Sequence, residues 1–323
     1  MKKLLGLLIL LAVQELGNAQ SKESLTNIRD TSFATWSAFQ KEKKYHPNIQ
    51  IATIALSKNV AEKKDIVYHR IHKRKLLLDA FIPAKANGIA FIMIHGGGWR
   101  SGNRAQHHDL AKALAAKGYA CFTPEYRLST DAYYPAAIFD IKEAIKWVRQ
   151  HAKNYKIDTN KIVISGFSAG GQMAALIGCT GDMPAFENYD TKNGISTKAN
   201  AVVDIDGTLS FVHPESSEMK APEKIGASAL WFGYTLKDDP ALWASASPLS
   251  YAKFSPSILF LNSSVDRMHA GRDDYIKILD SEKVYHEVHS FKDAPHAFCL
   301  FEPWFEPTVN YIDRFLQKVF INQ

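Results

Sequence analysis

An alternation of apolar strands with amphipathic helices constrains the fold of this chain more than any other feature. Between residues 75 and 320, apolar runs of strand length alternate with patterns in which apolar residues recur every three or four positions. Predicted strands lie at 75–83, 88–95, 119–126, 161–168, 200–207, 257–264 and 284–291, and predicted helices at 108–118, 137–151, 169–178, 269–281 and 308–320. Such alternation is typical of a mainly parallel, doubly wound sheet with helices on both faces, so we predict an α/β fold.

Length and composition favour a single globular domain. The chain has 323 residues, of which 46% are hydrophobic and 22% charged, a composition that excludes disordered and fibrous proteins. We assign residues 24–323 to this domain, and we expect 208–248, which is too long for a simple crossover, to form a small cap or rim. A net charge of +6 with scattered lysines argues against nucleic-acid binding.

The first 19 residues have the layout of a secretory signal peptide. Lys2 and Lys3 precede an apolar run from Leu4 to Val13, and small residues follow as far as Ala19. Because the apolar run is too short to span a bilayer, a retained membrane anchor is the less favoured alternative. We expect cleavage after residue 19, a secreted or periplasmic protein, and no membrane span in the mature chain.

Cysteine and histidine spacing gives no indication of disulfides, metals or cofactors. Three cysteines are too few for a disulfide framework in an exported protein, and Cys121 and Cys179 lie in apolar surroundings typical of buried residues. His107 and His108 are adjacent and therefore cannot converge on one ion as an i, i+4 pair could. No glycine-rich phosphate loop with a lysine is present.

A serine between glycines is the strongest indication of chemistry. In GFSAGG, Ser168 stands between Gly166 and Gly170, after an apolar strand and before an alanine-rich helix. A nucleophile at a strand-to-helix turn has a strained backbone, and the flanking glycines leave room for it. We therefore predict that Ser168 is a catalytic nucleophile.

The run HGGGW, residues 95–99, complements this serine. Attack on an ester carbonyl creates an oxyanion, and each backbone N–H that binds it contributes about 2.7–4 kcal/mol. We predict that the amides of Gly97, Gly98 and Ala169 form this oxyanion hole; a tight turn alone is the alternative. The ring of Trp99 is expected to line the pocket, or otherwise to pack beneath the loop.

A serine nucleophile needs a base, and the base needs an acid that orients it. His296 lies on a proline-containing loop before the closing helix, where such a base belongs, whereas His95 is expected to stabilise its own loop. Asp266 follows the end of a predicted strand and is preferred as the acid to Asp273 and Asp274. The resulting chain order of serine, aspartate and histidine is that of one known type of triad.

These motifs give the chain a resemblance to the α/β-hydrolases of the esterase and lipase superfamily, and within it to secreted bacterial carbohydrate esterases of the acetyl-xylan and feruloyl-esterase type. The stretches that carry the resemblance are HGGGW (95–99), YRLS (126–129), GFSAGG (166–171), ALWFGYTLKDDPALWASASPLSY (229–251), DRMHAGRDD (266–274) and DAPHAF (293–298). The resemblance implies an α/β-hydrolase fold, and it implies the catalytic and oxyanion roles assigned above.

The predicted function is that of a serine esterase that removes small groups, above all acetyl, from plant or algal polysaccharides. Arg267 and Arg272 flank the predicted acid loop, and arginine recognises carboxylates through its planar fork, so a uronic-acid polymer and its methyl ester are alternative substrates. Arg272 could instead pair with Asp273 or Asp274. Further alternatives are a feruloyl esterase, a peptidase of similar fold, and a pseudohydrolase that only binds a ligand.

Overall fold

The computed structural model describes residues 25–187 and 194–321; the predicted signal peptide lies outside these residues. The α-helices are α1 (Thr35–Glu42), α2 (His108–Ala116), α3 (Ala136–Gln150), α4 (Ala152–Tyr155), α5 (Ala169–Cys179), α6 (Ser217–Lys220), α7 (Ala227–Phe232), α8 (Pro240–Ser245), α9 (Arg272–Glu282) and α10 (Phe305–Phe320). The strands are β1 (Gln50–Ile51), β2 (Val60–Ile71), β3 (Arg74–Pro83), β4 (Ala90–Ile94), β5 (Ala120–Pro124), β6 (Ile162–Phe167), β7 (Ala201–Ile205), β8 (Ser257–Asn262), β9 (His286–Ser290) and β10 (Phe301–Glu302). Short 3-10 helices cover Arg104–His107, Pro184–Phe186, Pro248–Phe254, Asp266–His269 and Phe298–Leu300.

Eight strands form one sheet in the order β2-β3-β5-β4-β6-β7-β8-β9. Strands β4 to β9 pair in parallel, whereas β3 pairs antiparallel with both β2 and β5. The predicted mainly parallel sheet is therefore confirmed. Its register places Ile94 beside Gly166, and Phe167 beside Ile205, so the loops that follow β4, β6 and β7 meet at one edge of the sheet.

Helices cover both faces of the sheet, as predicted. On one face, α2 and α10 bury residues such as Leu110 and Ile312 in a common apolar core. On the opposite face, α3 and α5 contribute Ile141 and Met173 to a second core. The central strand β4 is buried along its whole length between these two layers, which is why its sequence is continuously apolar.

Strand β2 was not predicted, and its position explains why. It is an edge strand that carries several charged residues, and its pairing with β3 is irregular between Lys63 and Ile66 and again between Val67 and His69. These irregularities break the regular alternation of apolar and polar residues by which a half-buried strand is recognised. Charged side chains on an exposed edge also discourage pairing with another chain.

The segment 208–248 forms a rim, as predicted. It contains the short helices α6, α7 and α8, and residues of α6 and α7 line a cavity that also contains Ser168. Cys121 and Cys179 are buried, as predicted, and Cys299 is buried as well; all three are free. Within residues 25–187 and 194–321, no helix is both long enough and apolar enough to cross a membrane.

Candidate active site

Ser168 lies at the turn between β6 and α5. Its backbone has φ +57° and ψ −119°, a conformation that residues other than glycine rarely adopt. The turn is so tight that a Cβ on Gly166 would collide with the carbonyl of Gly170, and a Cβ on Gly170 would collide with the carbonyl of Ile94. The two glycines of the motif are therefore required by close backbone approach, and the serine between them faces the cavity.

The imidazole of His296 connects this serine to a carboxylate. Its Nε2 lies 2.8 Å from Oγ of Ser168, and its Nδ1 lies 2.6 Å from Oδ2 of Asp206. Because a carboxylate only accepts hydrogen bonds, Nδ1 carries the proton and donates it, which leaves Nε2 free to accept the serine proton. Ser168 and His296 thus meet in the arrangement expected of a nucleophile and its base.

The acidic partner of His296 is Asp206, and the structure corrects the prediction of Asp266. Asp266 begins a short 3-10 helix and is exposed, and no hydrogen bond among the described residues joins it to His296. The reason lies in the strand order. Strand β7 lies directly beside β6, so the residue after Ile205 is adjacent to the serine turn, whereas the loop after β8 starts one strand farther away.

Asp206 is held as a carboxylate by a dense set of donors. Its Oδ1 accepts from the backbone N–H of Ser263 at 2.8 Å and from Nε2 of His269 at 2.9 Å, and its Oδ2 accepts from Oγ of Ser263 at 2.6 Å. Burial by itself raises the pKa of Asp206, but the hydrogen bonds from His269, His296 and Ser263 outweigh it and lower that pKa to about 2. Asp206 is therefore ionised at neutral pH and can stabilise a positive charge on His296.

Asp204, only two residues earlier, has a pKa shifted in the opposite direction. It is 1% exposed, and its Oδ1 accepts a hydrogen bond from the backbone N–H of Gly207 at 2.9 Å. Burial raises the pKa of Asp204 well above its ordinary value, and the charge of Asp206 raises it further. The pKa values of two neighbouring carboxyls are thus shifted in opposite directions, and Asp206 is the one whose charged form is stabilised.

The predicted oxyanion donors come from two parts of the chain: Gly97 and Gly98 follow β4, and Ala169 begins α5. Gly98 and Ala169 line the same cavity as Ser168, and the amide of Ala169 opens α5, where it has no intrahelical acceptor. Gly97 has φ +119°, and its carbonyl accepts hydrogen bonds from the backbone N–H and the hydroxyl of Ser101. The structure thus brings Gly98 and Ala169 to the site, and Gly97 forms a tight turn, while the role of its amide as an oxyanion donor stays a prediction.

Trp99 both lines the cavity and packs into the core. It is 8% exposed and stacks on Trp231 with ring centroids 4.8 Å apart. Its indole N–H donates to Oε1 of Gln172 at 3.0 Å, and Nε2 of Gln172 donates to the carbonyl of Ala246 at 2.8 Å. The two readings of Trp99 are therefore compatible, and its ring forms a fixed wall.

His95 does not belong to the hydrogen-bonded chain of Ser168. Its ring is buried and stacks on Tyr126 with centroids 4.3 Å apart, and the hydroxyl of Tyr126 donates to the carbonyl of His95 at 3.0 Å. Burial lowers the pKa of His95 to about 4, so this ring is neutral at physiological pH. These contacts fit the expected structural role in the glycine loop.

The cavity beside Ser168 has a volume of about 380 Å³ and a mixed polar and apolar lining. Arg267 is exposed and lines it, together with Glu218 and Lys224 from the rim. Arg272 does not line it. Its guanidinium donates to Oδ1 of Asp273 and, at 2.9 Å, to Oδ1 of Asn262, so the prediction that Arg272 contacts substrate is corrected to the alternative pairing.

Sequence reasoning missed Asp206, Gln172, Glu218 and Lys224. Only Asp206 had a usable signal, since it directly follows an apolar strand, and polar residues at the carboxyl ends of parallel strands converge on one crevice. The other three lie within helices or in an irregular rim, where spacing indicates nothing about a cavity. In the part of the chain that the structure describes, no group of histidine, cysteine or acidic residues could hold a metal ion.

Comparisons with known proteins show a family and several esterases that the chain resembles. The BD-FAE family model matches residues 78–286. Esterase LipC of Mycobacterium tuberculosis is 29% identical over 210 residues, which are 61% of this chain and 51% of LipC. The matched part thus spans about half the length of that relative.

Solved structures resemble the chain over most of its length. Esterase 2 of Thermogutta terrifontis, in its apo form, aligns with a TM-score of 0.65 and 25% identity over 81% of this chain and 96% of that one. A truncated carbohydrate esterase from gut microbiota aligns with a TM-score of 0.65 and 21% identity over 81% of this chain and 99% of that one. The predicted α/β-hydrolase fold is confirmed.

Proposed function

This chain belongs to the BD-FAE family, and from that premise we propose that it is a serine carboxylic ester hydrolase that works through an acyl-enzyme. The observation that carries the proposal is the pair of short hydrogen bonds that runs from Asp206 through His296 to Ser168. The names of LipC and of the Thermogutta enzyme as esterases support it.

The reaction follows from which atoms carry protons. Oγ of Ser168 attacks the ester carbonyl while Nε2 of His296 takes the hydroxyl proton, and the carbonyl oxygen becomes an oxyanion. The backbone N–H groups of Gly98 and Ala169 bind that oxygen, and the N-terminal end of α5 favours its negative charge. His296 then gives its proton to the departing alcohol, and a water activated by the same imidazole releases the acid.

Asp206 has a separate part in each of these steps. It keeps the proton of His296 on Nδ1 in the resting enzyme, so that Nε2 faces the serine as an acceptor. When the imidazole becomes positively charged, the buried carboxylate lies 2.6 Å away and stabilises that charge. A neutral residue at position 206 would supply neither effect.

The acyl group is proposed to be small, with acetyl as the first candidate. Trp99 is fixed by Trp231 on one side and by its hydrogen bond to Gln172, so the wall beside the nucleophile is not free to move outward. Structures of the Thermogutta esterase have been solved with butyrate and with propionate bound, and both are short acids.

Aryl esters of different chain length test the proposed function and its acyl preference together. We expect kcat/KM to be highest for the acetate, lower for the butyrate and at least about tenfold lower for the octanoate, because the longer chain must displace a packed wall at a total cost of about 1–3 kcal/mol. The measurement is the initial rate of phenol release. Faster hydrolysis of the octanoate would contradict the small-acyl proposal, and no hydrolysis of any ester would contradict the esterase.

Acetylated plant or algal polysaccharides are the proposed natural substrates. The cavity presents Glu218, Lys224 and Arg267 beside the nucleophile, and charged groups of both signs suit hydroxyl-rich substrates better than acyl chains. Feruloyl esters are a second candidate from the family resemblance. The protein is also proposed to be secreted or periplasmic. The signal-like sequence of residues 1–19 supports this location.

A uronic-acid polymer is favoured over a neutral one by Arg267, whose exposed guanidinium reaches the cavity. We expect Arg267→Ala to lower the ratio of ester release from acetylated pectin to release from acetylated xylan by about fivefold. This factor corresponds to about 1 kcal/mol, the free energy of one partly solvated ion pair between the guanidinium and a substrate carboxylate. Arg272→Ala is the matched control, since that arginine pairs with Asp273, and its ratio should stay unchanged. An unchanged ratio in Arg267→Ala would remove the argument for an acidic substrate.

A further inference from the structure

The loop after β8 contributes a histidine to the site, although the acid itself comes from the loop after β7. Nε2 of His269 lies 2.9 Å from Oδ1 of Asp206, and the His269 side chain is only 10% exposed. We infer that His269 is a positioning residue: it donates its Nε2 proton to Asp206 and thereby fixes the carboxylate that orients His296. The inference rests on the ester hydrolysis proposed above.

The two oxygens of Asp206 are held from different sides. Oδ2 faces His296 and the hydroxyl of Ser263, whereas Oδ1 faces the backbone N–H of Ser263 and the ring of His269. A carboxylate rotates easily about its last side-chain bond unless donors hold both oxygens. Without His269, Oδ1 would keep one donor from Ser263, and a buried negative charge would lose a strong hydrogen bond.

The loop that carries His269 is tied to the loop that carries Asp206. The carbonyl of Ala270, the next residue, accepts hydrogen bonds from the backbone N–H groups of Leu209 at 3.1 Å and Ser210 at 3.0 Å. Leu209 and Ser210 follow Asp206 by three and four residues. These backbone hydrogen bonds hold His269 next to Asp206. The contact between the two residues is therefore supported by the backbone as well as by the side-chain hydrogen bond.

His269 cannot replace His296 as the base in this arrangement. Its Nε2 proton is directed at Asp206, whereas the serine hydroxyl lies 2.8 Å from Nε2 of His296. Asp206 thus accepts from two imidazoles, of which one moves protons and the other holds the acid in place. This division predicts that loss of His269 changes kcat and leaves substrate binding nearly unchanged.

Three substitutions separate the hydrogen bond from the volume of the ring. Glutamine places an amide N–H at about the position of Nε2, asparagine is one methylene shorter, and phenylalanine fills the space without a donor. We expect His269→Gln to keep kcat for an aryl acetate within about threefold. His269→Asn and His269→Phe should lower kcat about 10- to 100-fold, because the charged carboxylate of Asp206 loses a hydrogen bond. KM should stay within about twofold, because Asp206 contacts Nδ1 of His296, whereas Nε2 of that ring faces the serine.

His286→Phe is the matched control. His286 is a half-buried histidine on the edge strand β9, where it contacts the carbonyl of Val284, and its substitution should leave kcat unchanged. Thermal unfolding of each variant shows whether it folds, and if His269→Phe does not fold, the comparison of glutamine with asparagine decides.

Two results would overturn the role of His269. One is a kcat in His269→Asn or His269→Phe that equals that of the wild type. The other is an equal loss in the folded glutamine and asparagine variants, which would indicate that the N–H is irrelevant. A wild-type protein that hydrolyses no ester would instead overturn the proposed function, and the inference with it.

Discussion

Ser168→Ala is expected to lower kcat for an aryl acetate by about 10⁶-fold, the scale on which removal of a serine nucleophile acts in related chemistry. The alanine keeps the Cβ and the backbone of the turn but removes the Oγ that lies 2.8 Å from His296. The measurement is the rate of phenol release at saturating substrate.

The protein should remain folded in this variant, since the hydroxyl of Ser168 is half-buried and no backbone hydrogen bond of the turn depends on it. Ser281→Ala, which removes an exposed hydroxyl from α9, is the matched control and should retain full activity. Substantial turnover by folded Ser168→Ala would place the nucleophile elsewhere.

Asp206→Asn is expected to lower kcat by about 10⁴-fold, as loss of the acid does in other serine triads. The amide of the asparagine can donate where the carboxylate accepted, so Nδ1 of His296 would become the acceptor and its proton would move to Nε2. An Nε2 that already carries a proton cannot take one from Ser168. The same assay measures the effect, with thermal unfolding as the check on folding.

Asp266→Asn is the control that decides between the two candidate acids. Asp266 is exposed and has no hydrogen bond to His296 among the described residues, so kcat should stay within about twofold of the wild type. A large loss in Asp266→Asn together with an active Asp206→Asn would restore the acid that the sequence alone favoured.

The contrast between Asp206 and Asp266 shows which site residues can be predicted from a single sequence. Ser168 is recognisable because every requirement of its turn is local: an apolar strand before it, glycines on either side, and a helix after it. The acid is defined by the order of strands in the sheet. Strand β7 neighbours β6, and β8 lies one place farther out, and nothing in the spacing of residues along the chain states that order.

Prediction from the sequence is limited in a similar way for the edge strand β2 and for the two arginines. The buried strand β4 is apolar throughout and easily predicted, whereas β2 lies at an edge and carries charges and irregular pairing that conceal its periodicity. Arg267 and Arg272 are five residues apart in one motif. Only Arg267 reaches the cavity, because Arg272 begins α9 and pairs with its neighbour Asp273.

The most direct test of a nucleophile activated by His296 is covalent labelling with a fluorophosphonate, followed by mass spectrometry of the digested protein. The wild-type protein should carry one phosphonyl group on the peptide that contains Ser168. Labelling should slow by at least about 10³-fold in His296→Ala and stay at the wild-type rate in His289→Ala, whose ring instead contacts Glu287. No label on the wild type, label on another residue, or equal labelling rates in His296→Ala and the wild type would contradict a Ser168 nucleophile activated by His296.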